Sequence, residues 1–260
     1  MFWTKKWGIL IKKESEPLIN QGIKIPRDYV KRMEEMAMSE ISVFDVMGPN
    51  MIGPSSSHTA GALRIALLAR NLAKGKILHA RFVLYGSFAR TYHGHGTDRA
   101  LVGGILGYNT DDERIRDSFE RAKEQGITYE FIENTTNRDV HPNTVDIELT
   151  CDDNRTITMR GESIGGGNAV IRKLNGIDIH INGALPTVLV KHWDRKGALA
   201  YMTKVLSDAD LNIGALNLYR EGKGKIAYAI AELDGKASDE VLKKLEEYPD
   251  NIVTTYIPAL

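Results

Sequence analysis

The chain has 260 residues, with 34 Lys+Arg against 34 Asp+Glu, so its formal net charge is zero. That balance argues against general nucleic-acid binding, which rests on phosphate neutralisation, and a 42% hydrophobic content suits a globular protein with room for two domains. No apolar run reaches the ~20 residues of a membrane span, and the first residues lack the apolar core of a secretory signal. The single cysteine, Cys151, excludes an internal disulfide, fits a cytoplasmic protein, and cannot alone supply a three- or four-thiolate metal cluster.

In chain order, residues 1–40 read as an N-terminal extension: Pro17 and Pro26 interrupt it, and 27–40 carries the spacing of one short helix. Residues 41–182 form a body. The turns Gly48-Pro49 and Gly53-Pro54 lead into a helix expected from Thr59, where Leu63, Ala66, Leu67 and Arg70 keep helical spacing. A strand is expected over 80–85, a loop over 86–98, and helices over 98–106 and 111–125. Strands follow at 128–133, 144–151, 155–161 and 177–181. This irregular alternation predicts an α+β fold of mixed α/β layers. Asn182-Gly183-Ala184-Leu185-Pro186 reads as a linker. Beyond it, 187–260 carries the order βαββαβ, with strands at 187–193, 213–219, 225–233 and 252–256 and helices at 198–210 and 238–248, which is the ferredoxin-like pattern.

The stretch that carries chemistry is Gly53-Pro54-Ser55-Ser56-Ser57-His58-Thr59-Ala60-Gly61. Three hydroxyls and an imidazole stand where a helix start exposes free amides and the positive end of its dipole. Such a place binds carboxylates or phosphates, and a histidine beside it can move a proton near neutral pH. One hydroxyl would suffice as an N-cap, so the run asks for a further role. His93, His95 and Asp98 have the residue types of a small metal site, but the glycines between them leave the spacing loose. Cleft lining is the reading we adopt, with no metal ligand set in this chain.

Two resemblances follow from motifs. Over 187–260, Val190-Lys191-His192-Trp193-Asp194, Gly197-Ala198-Leu199 and Leu211-Asn212-Ile213-Gly214 resemble an ACT domain. The resemblance implies an amino-acid effector pocket using Asp194, Gly197, Asn212 and Ile213, possible L-serine binding, and ACT-mediated dimerisation. Over about 41–260 the chain resembles the beta subunit of the iron–sulfur-dependent L-serine dehydratase. Besides the serine run, the matching residues are Ser42-Val43-Phe44-Asp45, Gly48-Pro49, Tyr85-Gly86-Ser87-Phe88-Ala89, Gly94-His95-Gly96-Thr97-Asp98, His141-Pro142-Asn143-Thr144 and Glu162-Ser163-Ile164-Gly165-Gly166-Gly167. His93 stands where the family usually has lysine.

That resemblance implies deamination of L-serine to pyruvate and ammonia. It implies a [4Fe–4S] cluster held by cysteines of a separate alpha subunit and acting as a Lewis acid on the substrate hydroxyl. It makes His58 the candidate base. Ser55, Ser56, Ser57 and Thr59 become candidate carboxylate ligands, with His95, Thr97, Asp98, Gly165, Gly166 and Gly167 lining the substrate site. Two other classes compete. A regulatory amino-acid-binding module would need no His58, and a self-sufficient Ser-His hydrolase would need the Gly-x-Ser-x-Gly elbow that these serines lack.

Overall fold

The structure, a computed structural model, describes residues 49–137 and 139–260. The extension expected over 1–40 lies outside them, as do residues 42–45 and Gly48. The first sheet is built from β1 (Ile77–Tyr85), β2 (Thr128–Asn134), β3 (Thr144–Cys151), β4 (Thr156–Gly165), β5 (Asn168–Leu174) and β6 (Ile177–Ile181), in the order β2-β1-β3-β4-β5-β6. Its helices are α1 (Gly61–Leu72), α2 (Gly86–Thr91), α3 (Thr97–Leu106) and α4 (Ser118–Glu124). Among the described strands of this sheet, only β1 and β2 pair in parallel. A parallel pair needs a crossover, which α2, α3 and α4 supply.

The strands alternate because helices cover one face of the sheet. In β3, Val145, Ile147, Leu149 and Cys151 are buried while Asp146, Glu148 and Thr150 are half-exposed. Onto the buried face packs α1, an Ala/Leu-rich segment of high helix propensity, with Leu63, Ile65, Ala66, Leu68 and Leu72 in the core. Its approach is close at two glycines. A Cβ at Gly161 of β4 would stand 2.2 Å from Ile65 Cγ2, and one at Gly104 of α3 would stand 2.4 Å from the Leu63 carbonyl oxygen. Both contacts need a hydrogen in place of a side chain.

Several elements differ from expectation. The stretch 86–98 holds α2 rather than a loop throughout, because Gly86 turns the chain at φ +53° and the Ser87 and Phe88 amides donate to the Pro142 carbonyl at 2.6 and 3.3 Å. The 111–125 helix divides into a 3₁₀ turn (Glu113–Asp117), capped by Asp112, and α4. Strand β4 runs on to Gly165, and β5 was not foreseen, since its consecutive buried residues Ala169, Val170 and Ile171 break the period of two.

The second sheet joins β7 (Thr187–Trp193), β8 (Ile213–Arg220), β9 (Ile226–Leu233) and β10 (Asn251–Ile257), with α5 (Ala198–Asp208) and α6 (Asp239–Glu246). Its order, β10-β7-β9-β8, is ferredoxin-like, and Ser238 caps α6 by accepting from the Val241 amide. Val188, Val190, Ala229 and Ala231 pack with Met202, Leu206, Val241 and Leu245 in one cluster. From the alternate positions, Leu189, Tyr228, Ile230 and Ile257 join the core that contains α1 and the first sheet. Asn175 Nδ2, in the β5–β6 turn, donates to the Tyr228 hydroxyl at 3.0 Å. The connection 182–186 therefore links two sheets that share apolar contacts. Among the described residues, no helix is long and apolar enough to cross a membrane.

Gly103 and Gly104 give an internal comparison. A Cβ at Gly104 also meets Ala66 Cβ at 2.6 Å, whereas at Gly103 the nearest atom is 3.4 Å away. Gly104→Ala should cost about 1–3 kcal/mol by overpacking. Gly103→Ala should be neutral or gain up to about 1 kcal/mol from helix propensity. Urea unfolding of the two variants checks the contrast.

Candidate active site

The serine run lies where the chain enters the core. Ser56–Ala60 forms a π-helical turn continuous with α1, one turn earlier than the sequence predicts. The Ala60 and Gly61 amides reach back five residues, to the carbonyls of Ser55 and Ser56, a winding that is rare and frequent at functional sites. Ser55 is the N-cap and its Oγ accepts from the His58 amide at 3.2 Å. Ser56 and Ser57 occupy the first turn, where amides have no intrahelical acceptor.

His58 is held from both sides. Its Nδ1 is 3.0 Å from Ser57 Oγ and 3.5 Å from Ser55 Oγ, and its Nε2 is 2.8 Å from Ser87 Oγ. Serine hydroxyls donate or accept, so this clasp tolerates either imidazole tautomer. Phe88 meets the ring edge-on at a centroid distance of 5.4 Å, and the His95 ring lies 4.8 Å away. Burial first, and the charge of His95 second, hold the His58 imidazole below its ordinary value. It is therefore neutral at pH 7, the form that accepts a proton.

The other expected residues divide. Thr59 is buried and donates to the His95 carbonyl at 2.8 Å, so it braces the 92–96 turn rather than offering a free hydroxyl. Asp98 is also buried and pairs with His93 Nδ1 at 2.8 Å. The imidazole at 93 thus does meet an anion, and it is Asp98. His93 and Asp98 turn to each other while His95 faces His58, and among the described residues no set of three or more His, Cys, Asp or Glu is gathered for a metal ion. Gly165, Gly166 and Gly167 all have positive φ and form the β4–β5 turn. A Cβ at Gly167 would stand 2.5 Å from Pro49 Cδ and 3.5 Å from Ala60 Cβ, which places the triplet against the helix start. Arg64 Nη1 fastens it by donating to the Gly167 carbonyl at 3.2 Å.

Three residues of the site carried no assigned role in the sequence reading. Ser87 follows directly from β1 and supplies the Nε2 partner. Asn143 and Ser163 are joined through the Ser163 amide and the Asn143 carbonyl at 3.0 Å, and Ser163 Oγ lies where a Cβ on Gly61 would be 2.0 Å away. Among the described residues, Asn143 Oδ1, Ser163 Oγ, Thr97 Oγ1 and His95 Nδ1 are buried without a hydrogen-bond partner. An unmet buried polar group costs about 1–3 kcal/mol, so four around one helix start mark a place built for polar contact. In the sequence, Ser87, Asn143 and Ser163 each lie in one of the motifs that carry the family resemblance, Tyr85–Ala89, His141–Thr144 and Glu162–Gly167.

The effector residues expected in the second sheet do not meet within one chain. Asp194 and Gly197 precede α5, while Asn212 and Ile213 follow it, and 11 residues of helix put roughly 16 Å between the two ends. Asp194 accepts from the Gly224 amide at 3.0 Å and from Arg220 Nη1 at 3.2 Å, contacts that hold its carboxyl below the usual range. Asn212 Nδ2 donates to Asp234 Oδ2 at 2.6 Å.

The donors of this chain do not fit a [4Fe–4S] cluster at the His58 site. Cys151 is buried at the end of β3 and pairs with Ile77, at the far end of β1 from Ser87. Eight residue steps of strand are roughly 26 Å, and burial pushes the thiol up, away from the thiolate that ligates iron.

Comparison with known proteins places the chain in a class. The family model described as serine dehydratase beta chain matches residues 42–174, and the chain belongs to that family. The probable L-serine dehydratase beta chain of Bacillus subtilis is 42% identical over 217 residues, covering 83% of this chain and 97% of that relative. The L-serine dehydratase beta chain of Peptoniphilus asaccharolyticus is 42% identical over 206 residues, covering 79% and 92%. A solved ACT domain from the GTP pyrophosphokinase of Chlorobium tepidum aligns with 27% of this chain at 20% identity and a TM-score of 0.24.

His58 should titrate below about 6.5, the ordinary histidine value. With its folded-state value lowered, the unfolded chain takes up the proton first as pH falls. The His58 contribution is therefore fully present above about pH 6.5 and is lost as pH drops through and below it. Proton NMR of the His58 ring tests this. His95→Asn should move the titration only part of the way back, because burial remains; a wild-type midpoint at or above 6.5 would contradict the assignment.

Proposed function

We propose that this chain is the beta subunit of an L-serine dehydratase, deaminating L-serine to pyruvate and ammonia as part of a complex with an alpha subunit. What supports this reading most is the clasped, neutral His58 at a helix start ringed by unpartnered polar atoms. It is a proton acceptor beside a place that suits a carboxylate, in a chain of the serine dehydratase beta family.

The residues divide the work by chemistry. The first-turn amides and the hydroxyls of Ser55, Ser56 and Ser57 hold the substrate carboxylate. Asn143 Oδ1, an acceptor, suits the ammonium group. His58 takes the Cα proton, the Cβ–O bond breaks, and the hydroxyl departs as water with the proton that the imidazolium gives up, which returns His58 to its neutral form. The enamine left behind tautomerises to the imine, and water converts that to pyruvate and ammonia. Ser87 and Ser57 orient the ring throughout. A [4Fe–4S] cluster, which this chain's donors do not fit, belongs in this reading to cysteines of the alpha subunit. The second sheet serves as an ACT domain that pairs with a second copy and takes L-serine as effector between them, which would bring Asp194 and Gly197 near Asn212 and Ile213. The complex is cytoplasmic in this reading, where a reduced cluster and free thiols persist.

The complex isolated without oxygen should release pyruvate from L-serine, lose that activity in air, and regain it with iron and sulfide. No pyruvate from an iron-replete complex would contradict the proposal. Ser87→Ala removes one hydrogen bond to the ring. It should lower kcat/KM by roughly 5–10-fold, or about 1–1.4 kcal/mol, mostly in kcat, as steady-state kinetics of the assembled complex would show.

A further inference from the structure

Beyond the His58 site, the molecule has a cleft of about 240 Å³ between the two sheets. One wall is the C-terminal end of α1, with Leu72, Ala73 and Lys74, together with Arg155 and Ile157 from the start of β4. The other is the helix-free face of the second sheet, with Leu189, Lys191, Tyr228, Val253 and Thr255. None of Asp194, Gly197, Asn212 and Ile213 lines it. From Ser56 to Leu72 the helical run is 17 residues, so the cleft and the serine run are separated by roughly 25 Å.

The lining has a definite chemistry. It holds three cations, Lys74, Arg155 and Lys191, and no Asp or Glu. Two of the cations are committed, since Lys74 pairs with Glu246 at 2.9 Å and Arg155 pairs with Asp153. The Arg155 Nη2 also donates to the Lys74 backbone carbonyl at 2.6 Å, which fixes the Arg155 side chain at the rim. Lys191 has no carboxylate within ion-pair distance among the described residues, and its Nζ stands 5.9 Å from the centre of the Tyr228 ring. Beside it are branched apolar side chains and the Thr255 hydroxyl. A cation next to an apolar wall binds a carboxylate with an aliphatic tail. No acidic side chain lines the cleft, and the rim carboxylates of Glu246 and Asp153 are taken up by Lys74 and Arg155, so an ammonium group meets no free charged partner, which selects against an amino acid.

We propose that this cleft is an effector site for a small aliphatic carboxylate without an ammonium group, bound through Lys191. The ligand bridges the two sheets and touches the last turn of the helix whose first turn carries His58. Its site is therefore distinct from both the substrate position and the effector pocket expected of paired second sheets.

The test is calorimetry on the full chain with sodium 4-methyl-2-oxopentanoate, and with leucine as the same skeleton bearing an ammonium group. The oxo acid should bind saturably at one site per chain, and leucine at least about tenfold more weakly. Lys191→Met keeps the aliphatic stem and should weaken oxo-acid binding by at least about tenfold. Ala73→Leu, narrowing the opposite wall, should abolish it, with circular dichroism confirming that both variants are folded. Absence of saturable binding, equal binding of leucine, or unchanged affinity in folded Lys191→Met would overturn the proposal. Because no turnover is measured, these outcomes are independent of the dehydratase reading.

Discussion

Everything at the site depends on how closely α1 can lie on the first sheet. At Gly161 and Gly61 the helix and β4 meet at distances where a methyl group would collide with Ile65 or Ser163, and at Gly104 the crossing helix α3 lies so close that an added Cβ would stand 2.4 Å from the Leu63 carbonyl oxygen. That packing drives the helix start down onto the end of β4. There the Gly165–Gly167 turn wraps it, and Ser163 faces it with an unpartnered hydroxyl, held beside Asn143 through the Ser163 amide and the Asn143 carbonyl. The imidazole is then caught between Ser57 on its own turn and Ser87 on α2. Moving the helix outward by a methyl group would open that clasp, so the glycines act on chemistry through geometry rather than by touching a substrate.

The same closeness sets the electrostatics. A histidine in water titrates near 6.5 and is mixed in protonation at neutral pH. Burial against Phe88 and the neighbouring His95 ring shift His58 toward the neutral form, so a base is available without a carboxylate partner. Both ring nitrogens contact hydroxyls, and among the described residues no acidic side chain is hydrogen-bonded to the ring. A carboxylate there would raise its value and compete with an anionic substrate for the helix dipole. The site thus suits an anion that must also lose a proton.

Much of this was legible in the sequence because it is local. The run Ser55–Thr59 before an apolar helix pattern marks a helix start that carries an imidazole, and 187–260 reads correctly as βαββαβ from its periodicity and turn residues. What was not legible depends on distance along the chain. Ser87 is 29 residues from His58, and only the β1–α2 turn on Pro142 brings it to Nε2. Asn143 and Ser163 meet through antiparallel pairing of β3 with β4. Thr59, expected as a carboxylate ligand, turns instead to the His95 carbonyl 36 residues on, and Asp98, expected to line the cleft, turns to its near neighbour His93. Strand β5 was missed because its inner residues are buried in succession, which a period-two reading cannot register.

The claim that the other assignments hang on is that His58 removes the substrate proton. The most direct measurement is L-serine turnover by the oxygen-free complex carrying His58→Asn, with assembly checked by size-exclusion chromatography. Loss of a general base should lower kcat by about 10²–10⁴-fold while the complex stays assembled. Turnover within a few-fold of the parent complex would show that the proton goes elsewhere and would leave this chain with a binding role alone.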